Sequence, residues 1–344
     1  MAPSVRIGLV SYTNLTSGIG VFAHELVKYL GVDSVLSVQN LVKGRERWME
    51  RQYDAGECLN RETVNRYLSK YHPDIVLFFE TPFGRGLEEA RERRNFRVAA
   101  IPMQETMHHK DFSWCDAIIC CCKTALEKAR DLDIKRAYGL FLPIGMDLFP
   151  FRKRKGHTFV HNVGYGWRTD RRQTKKVVEA FRGLPEDARL IVNAQQQFPR
   201  ATVVDDSRIE YRLQSFARPE DIFAEGDISI LPIAYGGYER MILESMASGM
   251  PCLTTDADPM NLFQHDERFL VKPMNSRRVT NPFLYEVDYH EVSVKALRKK
   301  MRWLLEIDTA KFSKAARAQA VAQSWESKID YRAEWMRVLE EICE

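Results

Sequence analysis

The sequence predicts an α/β protein built from two Rossmann-like, doubly wound halves. Three observations carry that expectation. Short apolar runs alternate with helical patterns along most of the chain, as parallel sheets with crossover helices require. The alternation stops at a basic stretch without apolar periodicity, residues 151–156, and then begins again. Late in the second cycle, residues 228–254 pass from a buried strand through Gly236 and Gly237 to a helix carrying Glu244, and on to another apolar strand.

In order along the chain, residues 5–10 read as a buried first strand, followed by a polar loop with Gly18 and Gly20 and an amphipathic helix through Leu30. Apolar runs at 74–79, 97–103, 116–121 and 138–144 alternate with helical patterns at 87–94 and 124–131. After the basic stretch come a strand at 158–163, a helix at 173–181, strands at 189–193 and 209–213, and a helix at 219–225. A strand at 228–233, a helix at 239–248 and a strand at 252–254 complete the cycle, with Gly249 and Pro251 ending the helix. From Val292 onward the pattern is helical only, with Trp303, Trp325 and Trp335 on apolar faces. The expected division is therefore a first domain at 1–150, a linker at 151–156, a second domain at 157–322 and a C-terminal helix at 323–344.

Composition agrees with this layout. A chain of 344 residues exceeds one ordinary core and suits two domains of about 150 to 200 residues. A charged fraction of 28% and a net charge of +4 describe an ordinary globular protein, compatible with an anionic substrate and not demanding nucleic acid or a membrane. Seven cysteines is an odd number, and Cys120, Cys121 and Cys122 lie together in an apolar run, as buried thiols of a reducing compartment do. No Cys-x-x-Cys spacing marks a metal site, and none is expected. The first apolar run is too short for a signal peptide or a transmembrane segment, and a cytoplasmic location is the expectation. Oligomeric state is not legible.

Within 228–254, Pro232, Gly237, Tyr238, Glu244, Met246, Ala247, Gly249 and Pro251 fall in register with a known pattern. It reads roughly Pro-Ser-x-x-Glu-Gly-Phe-Gly-x-x-x-x-Glu-Ala-Met-Ala-x-Gly-x-Pro-Val. The segment thereby resembles the donor-binding core of retaining GT-B glycosyltransferases of the group-1, family-four class. The resemblance implies a GT-B fold, two Rossmann-like domains facing a central cleft, with the acceptor bound by the first, the nucleotide-sugar by the second, and the last helix packing back on the first. It also implies transfer of a sugar from a nucleoside-diphosphate donor to an acceptor hydroxyl with retention.

Site residues follow from the same resemblance. Glu244 occupies the position that accepts the ribose hydroxyls of the donor, although a carboxylate early in a helix also suits the helix dipole. Gly237 and Tyr238 belong to the donor loop, and the first-turn amides of the following helix are expected to receive diphosphate oxygens. The family's first glutamate falls on Gly236; either Glu239, three residues on, takes its place or the sugar is held differently. Residues 164–172 resemble the family's Gly-Arg-x-x-x-x-Lys-Gly segment, which puts Gly164 at its start, Arg172 at the lysine position with Arg171 adjacent, and Arg168 as the partner cation. Cations suit this place because the departing diphosphate gains negative charge, although a solvated basic loop would look the same.

After the strand at 252–254, Asp258, Met260 and Asn261 are candidate donor-sugar contacts or a simple turn. Gly18 and Gly20 belong beside the donor phosphates or the acceptor, or form a plain turn. His108 or His109 stands where family members carry a histidine near the reacting sugar, and 143–147 resembles the turn that closes the first domain. Fixed cations would replace a metal, and no cofactor is expected beyond a UDP- or GDP-sugar co-substrate. The acceptor stays open among a glycan, a lipid-linked glycan, a small molecule and a nucleic acid. Basic segments at 91–97, 152–155 and 168–172 raise transfer to a modified nucleic-acid base, as in phage-type DNA modification, and Gly236 raises a silent sugar-nucleotide-binding protein.

Overall fold

The structure, a computed structural model, describes the chain apart from residues 1–4, 40–43, 57, 81–84, 109–111, 135, 165–169, 198–201 and 281–285. It divides into two compact units, Met1–Pro143 with Ile329–Glu344, and Ile144–Lys328. The first division comes before the expected boundary at residue 150, and the chain returns to the first unit only after Lys328.

The first unit is a seven-stranded, all-parallel sheet in the order β3-β2-β1-β4-β5-β6-β7. Its strands are β1 Ile7–Tyr12, β2 Ser34–Val38, β3 Gln52–Asp54, β4 Ile75–Phe79, β5 Arg97–Ile101, β6 Ala117–Cys120 and β7 Ala137–Gly139. Every residue of β2 and β4 is buried, which is why central strands of this kind read as continuous apolar runs. After β1 the chain enters the helix Gly18–Glu25, whose cap Ser17 accepts a hydrogen bond from the Gly20 amide at 3.1 Å. A Cβ at Gly20 would lie 1.7 Å from the Asn14 carbonyl oxygen, so the close approach of loop and helix requires glycine there. The strands β2 and β3 and the helix Arg61–Tyr71 were not among the expected elements. The C-terminal helix Tyr331–Cys343 belongs to this unit: Trp335 is fully buried and its indole N–H donates to the Phe141 carbonyl at 2.8 Å.

The second unit repeats the strand order. Its six parallel strands run β10-β9-β8-β11-β12-β13, with β8 Thr158–Gly164, β9 Arg189–Ala194, β10 Ile209–Leu213, β11 Ile228–Leu231, β12 Cys252–Thr255 and β13 Leu270–Val271. A core of Phe159, Val177, Phe181, Leu190, Ile230 and Leu297 fills the space under the helices Thr174–Arg182 and Val294–Leu304. An antiparallel hairpin, β14 Asn275–Thr280 and β15 Glu286–Glu291, stands outside the main sheet. It was not foreseen, although Val287 and Tyr289 alternating with polar residues carry a strand's period of two.

Residues 151–156 are part of the second unit and not a free linker. Arg154 is buried, and its guanidinium donates to the carbonyls of Phe223 at 2.5 Å and Gly226 at 2.7 Å. Burial pushes its pKa down to about 10, against a smaller upward pull from Asp227. The Asp227 carboxylate in turn accepts from the amides of Gly156 at 3.0 Å and Thr158 at 3.1 Å. A sequence reading sees four cations in a row here; one of them is a structural strut.

Replacing Arg154 with Met should therefore cost about 3 kcal/mol, because buried carbonyls lose charged donors. That corresponds to a fall of about 6 to 12 °C in the unfolding midpoint of the second unit. Lys153→Met, at an exposed neighbour, should stay within about 0.5 kcal/mol of the parent. Equal thermal midpoints for the two variants would remove the structural role of Arg154.

Candidate active site

An open parallel sheet binds ligands at the carboxyl ends of its strands, where the strand order reverses. In the second unit that place lies between β8 and β11, so the loops after Gly164 and after Leu231 frame it. Gly164 leaves β8 with a left-handed φ of 60°. Asp170, also left-handed, accepts from the Thr174 amide at 2.9 Å and so starts the helix Thr174–Arg182. The two loops are tied directly, since the Ala234 amide donates to the Arg171 carbonyl at 2.7 Å.

Gln173 fixes the junction. Its side-chain amide donates to the carbonyls of Pro232 at 2.8 Å and His290 at 3.1 Å, and its side-chain oxygen accepts from the Val292 amide at 3.0 Å. The hairpin is thereby attached to the motif loop, and Tyr235, Ala234 and Val287 form a small apolar cluster at the contact. Below them His161, fully buried on β8, bridges to β11. Its Nδ1 donates to the Ile230 carbonyl at 2.6 Å, which leaves Nε2 to accept from the Thr174 hydroxyl at 3.0 Å. Burial first, and the Arg172 cation after it, hold the imidazole pKa down to about 4, so the ring is neutral near pH 7. Neither Gln173 nor His161 was singled out in the sequence; a histidine within a largely apolar strand was the available signal for the second.

The charged residues of the two loops meet. Glu239 places one carboxylate oxygen 2.9 Å from Arg171 Nη1 and the other 2.6 Å from Arg172 Nη1. The Glu239 side chain is 3% exposed and that of Arg172 7%, whereas that of Arg171 is 27% exposed. Arg240 Nε lies 3.6 Å from a carboxylate oxygen of Glu244, on the helix Met241–Ala247. Arg168 lies outside the described residues.

Several expectations are corrected here. The Glu244 carboxylate, expected to accept ribose hydroxyls, is only 12% exposed and lies beside Arg240. The helix covers Met241–Ala247 and not 239–248, and the amides of Ile242 and Glu244 are already bonded to the carbonyls of Glu239 and Arg240. Tyr238 is buried edge-on against Phe263, with ring centroids 5.0 Å apart, so its side chain serves the core. Met260 is fully buried and likewise turns inward. Asp258 is half-buried, and Asn261 donates to Asp256 at 3.1 Å, which makes that segment at least partly a self-bonded turn. Gly237 is buried in the motif loop.

In the first unit, Gly18 is exposed and Gly20 buried after β1, and His108 is exposed beyond β5. Both loops leave the carboxyl edge of the same sheet. His109 lies outside the described residues. Within the basic segments Arg91 and Arg97 both pair with Asp116, at 2.7 and 3.3 Å, Arg154 is buried, and Arg171 and Arg172 hold Glu239, whereas Arg93, Arg152, Lys153 and Lys155 are exposed. Among the described residues no group of three His, Cys, Asp or Glu side chains is placed to hold a metal ion, and no helix is long and apolar enough to cross a membrane. All cysteines are free thiols, and burial pushes those of Cys120 and Cys252 up to about 12.

Comparison with known proteins adds to this geometry. Residues 172–283 match the family described as Glycosyl transferases group 1. No curated protein sequence matches the chain significantly. Among solved structures, sucrose-phosphate synthase from Thermosynechococcus elongatus is similar, with a TM-score of 0.69 at 13% identity over 98% of this chain and 99% of that one. A glycosyltransferase from Rickettsia africae ESF-5 gives a TM-score of 0.68 at 14% identity over 99% of both chains. WaaG, a glycosyltransferase involved in lipopolysaccharide biosynthesis, gives 0.62 at 12% identity over 96% of this chain and 99% of its own. At these identities the likeness is one of fold.

The state of His161 has a measurable consequence. The unfolded chain takes up a proton on this residue below about pH 6.5, which the folded site refuses until near pH 4. Its contribution to stability is therefore complete above pH 6.5 and is lost as the pH falls toward 4, by roughly 3 kcal/mol in all. Urea unfolding of the parent and of His161→Gln at pH 7.5 and pH 4.5 should show a smaller acid loss in the variant. An identical loss in both would exclude His161 as its source.

Proposed function

We propose that this protein, which has the GT-B fold and matches the group 1 glycosyl transferases over residues 172–283, carries out a specific glycosyl transfer. It moves a sugar from a nucleoside-diphosphate donor, a UDP- or GDP-sugar, to an acceptor hydroxyl with retention and without a metal. The observation that most supports this is the convergence of Arg171 and Arg172 with the Glu244 helix at the strand-order reversal of the second sheet. As the glycosidic bond breaks, negative charge develops on the departing diphosphate, and fixed guanidinium groups aimed at it lower the barrier. Arg171, the more exposed of the two guanidinium side chains, contacts the diphosphate, and Arg172 supports it from the buried side; Arg168 is assigned to the same ligand from its place in the sequence alone. Glu244 accepts the ribose hydroxyls. Asp258 and Asn261 line the sugar, and Gly164 lets the backbone approach the phosphates.

The first unit takes the acceptor, with the Gly18 to Gly20 loop and His108 at the carboxyl edge of its sheet, and His109 as the alternative histidine by sequence position. Of the basic segments that raised transfer to a nucleic-acid base, Arg91, Arg97 and Arg154 are bonded to internal partners.

Binding of UDP and GDP, followed by calorimetry, tests the donor site. Glu244→Gln keeps the volume of this largely buried side chain and should weaken the preferred nucleotide by about ten- to hundredfold, the loss of a charged hydrogen bond or two. An unchanged affinity would take Glu244 out of the site. Turnover of the donor should also persist in excess chelator; complete loss that returns with added divalent cation would overturn the metal-free reading.

A further inference from the structure

Gly236 and Glu239 fit one another in a way that neither explains alone. A Cβ built on Gly236 would lie 1.8 Å from a carboxylate oxygen of Glu239 and 2.5 Å from its Cδ and Cγ. The side chain of Glu239 thus lies against the bare Cα of residue 236, in the volume any other residue there would claim. Glycine is not needed for its φ, since Gly236 is not among the left-handed glycines. It is needed for room.

Holding the carboxylate there has a cost. Glu239 itself takes a left-handed φ of 45°, and so do Asp170 and Gln173 in the facing loop, at 45° and 49°. Non-glycine residues in that region are strained by about 1 kcal/mol or more each, and such strain persists where the surroundings impose it. What the arrangement obtains is one carboxylate shared between two guanidinium groups that are consecutive in sequence and would otherwise repel each other in a poorly solvated place.

The distribution of exposure gives the direction. Glu239 is the most buried of the three side chains and Arg171 the least. A ligand arriving from solvent meets Arg171, whose Nη1 is held from behind, and not the carboxylate. The three groups together keep a net charge of +1, so the place still attracts an anion while its cations are already oriented.

We propose that Glu239, seated on the bare Cα of Gly236, is a positioning residue that pre-orients Arg171 and Arg172 for the diphosphate of the donor. This rests on the donor reading above. Glu239 acts on the ligand through the arginines, and Gly236 acts through Glu239.

The test is a double-mutant cycle of Gly236→Ala, Glu239→Gln and both together, with UDP, GDP, uridine and guanosine as probes. Gly236→Ala displaces the carboxylate while keeping its charge; Glu239→Gln keeps the shape while removing the charge. Each single variant should weaken the diphosphate bound by the parent by about tenfold or more and leave the matching nucleoside unchanged. The double variant should be no worse than the worse single one, because both changes break the same contact. Equal diphosphate affinity in parent and variants would overturn the proposal while leaving the donor reading intact. Tighter binding in Glu239→Gln would make the carboxylate a competitor of the ligand, and parallel weakening of diphosphate and nucleoside would make it a general support of the loop; either result overturns positioning. If the parent binds neither UDP nor GDP, the donor reading fails and this one with it. Glu239→Gln is isosteric and reports even if Gly236→Ala does not fold.

Discussion

A sheet of parallel strands that grows in both directions from its first strand must leave a gap in its helical cover where the order reverses. In the second unit this topological constraint falls between β8 and β11, and the chemistry of the unit is arranged around it. His161 bonds the two strands beneath the gap, Gln173 bonds the loops above it, and Glu239 draws the charges of both loops together. Removing the reversal would leave the arginines and the carboxylate on separate surfaces. Because the reversal is fixed by backbone pairing, the site inherits the rigidity of the sheet although its residues stand on loops.

Basic residues do two kinds of work in this chain. Arg154 is desolvated and bonded to main-chain carbonyls, and Arg91 and Arg97 share the carboxylate of Asp116 at the start of β5. These belong to the scaffold. Arg171 and Arg172 likewise share a carboxylate, but they stand at the strand-order reversal of the second sheet. The difference lies in where each group stands in the fold, and a run of cations in a sequence does not disclose it. A net charge of +4 therefore says little about where anions are attracted.

Most of the strand and helix succession was legible, because the strands of a two-faced parallel sheet must be apolar throughout and the crossover helices must be amphipathic. The stretches 74–79 and 97–103 became β4 and β5 with ends moved by a residue or two. The elements that escaped notice were β2 and β3, the helix Arg61–Tyr71 with its polar outer face, the two-residue β13, and the hairpin whose two strands are mostly exposed. Of the site, the loops were legible from their glycines and their place after apolar strands, but side-chain direction within them was not. Tyr238 and Met260 belong to the segments expected, yet turn into the core.

By itself the sequence determined the α/β alternation, the two cycles and the loops that carry arginines, glycines and Glu244, since each of these rests on periodicity or composition within a short window. Only the tertiary structure decided that Arg171 and Arg172 meet a carboxylate 68 and 67 residues away, and that Glu239 fills the space which Gly236 leaves open. Local pattern reports which face of an element is apolar. Which loops face each other depends on strand order, and strand order is settled by pairing between segments that no short window contains.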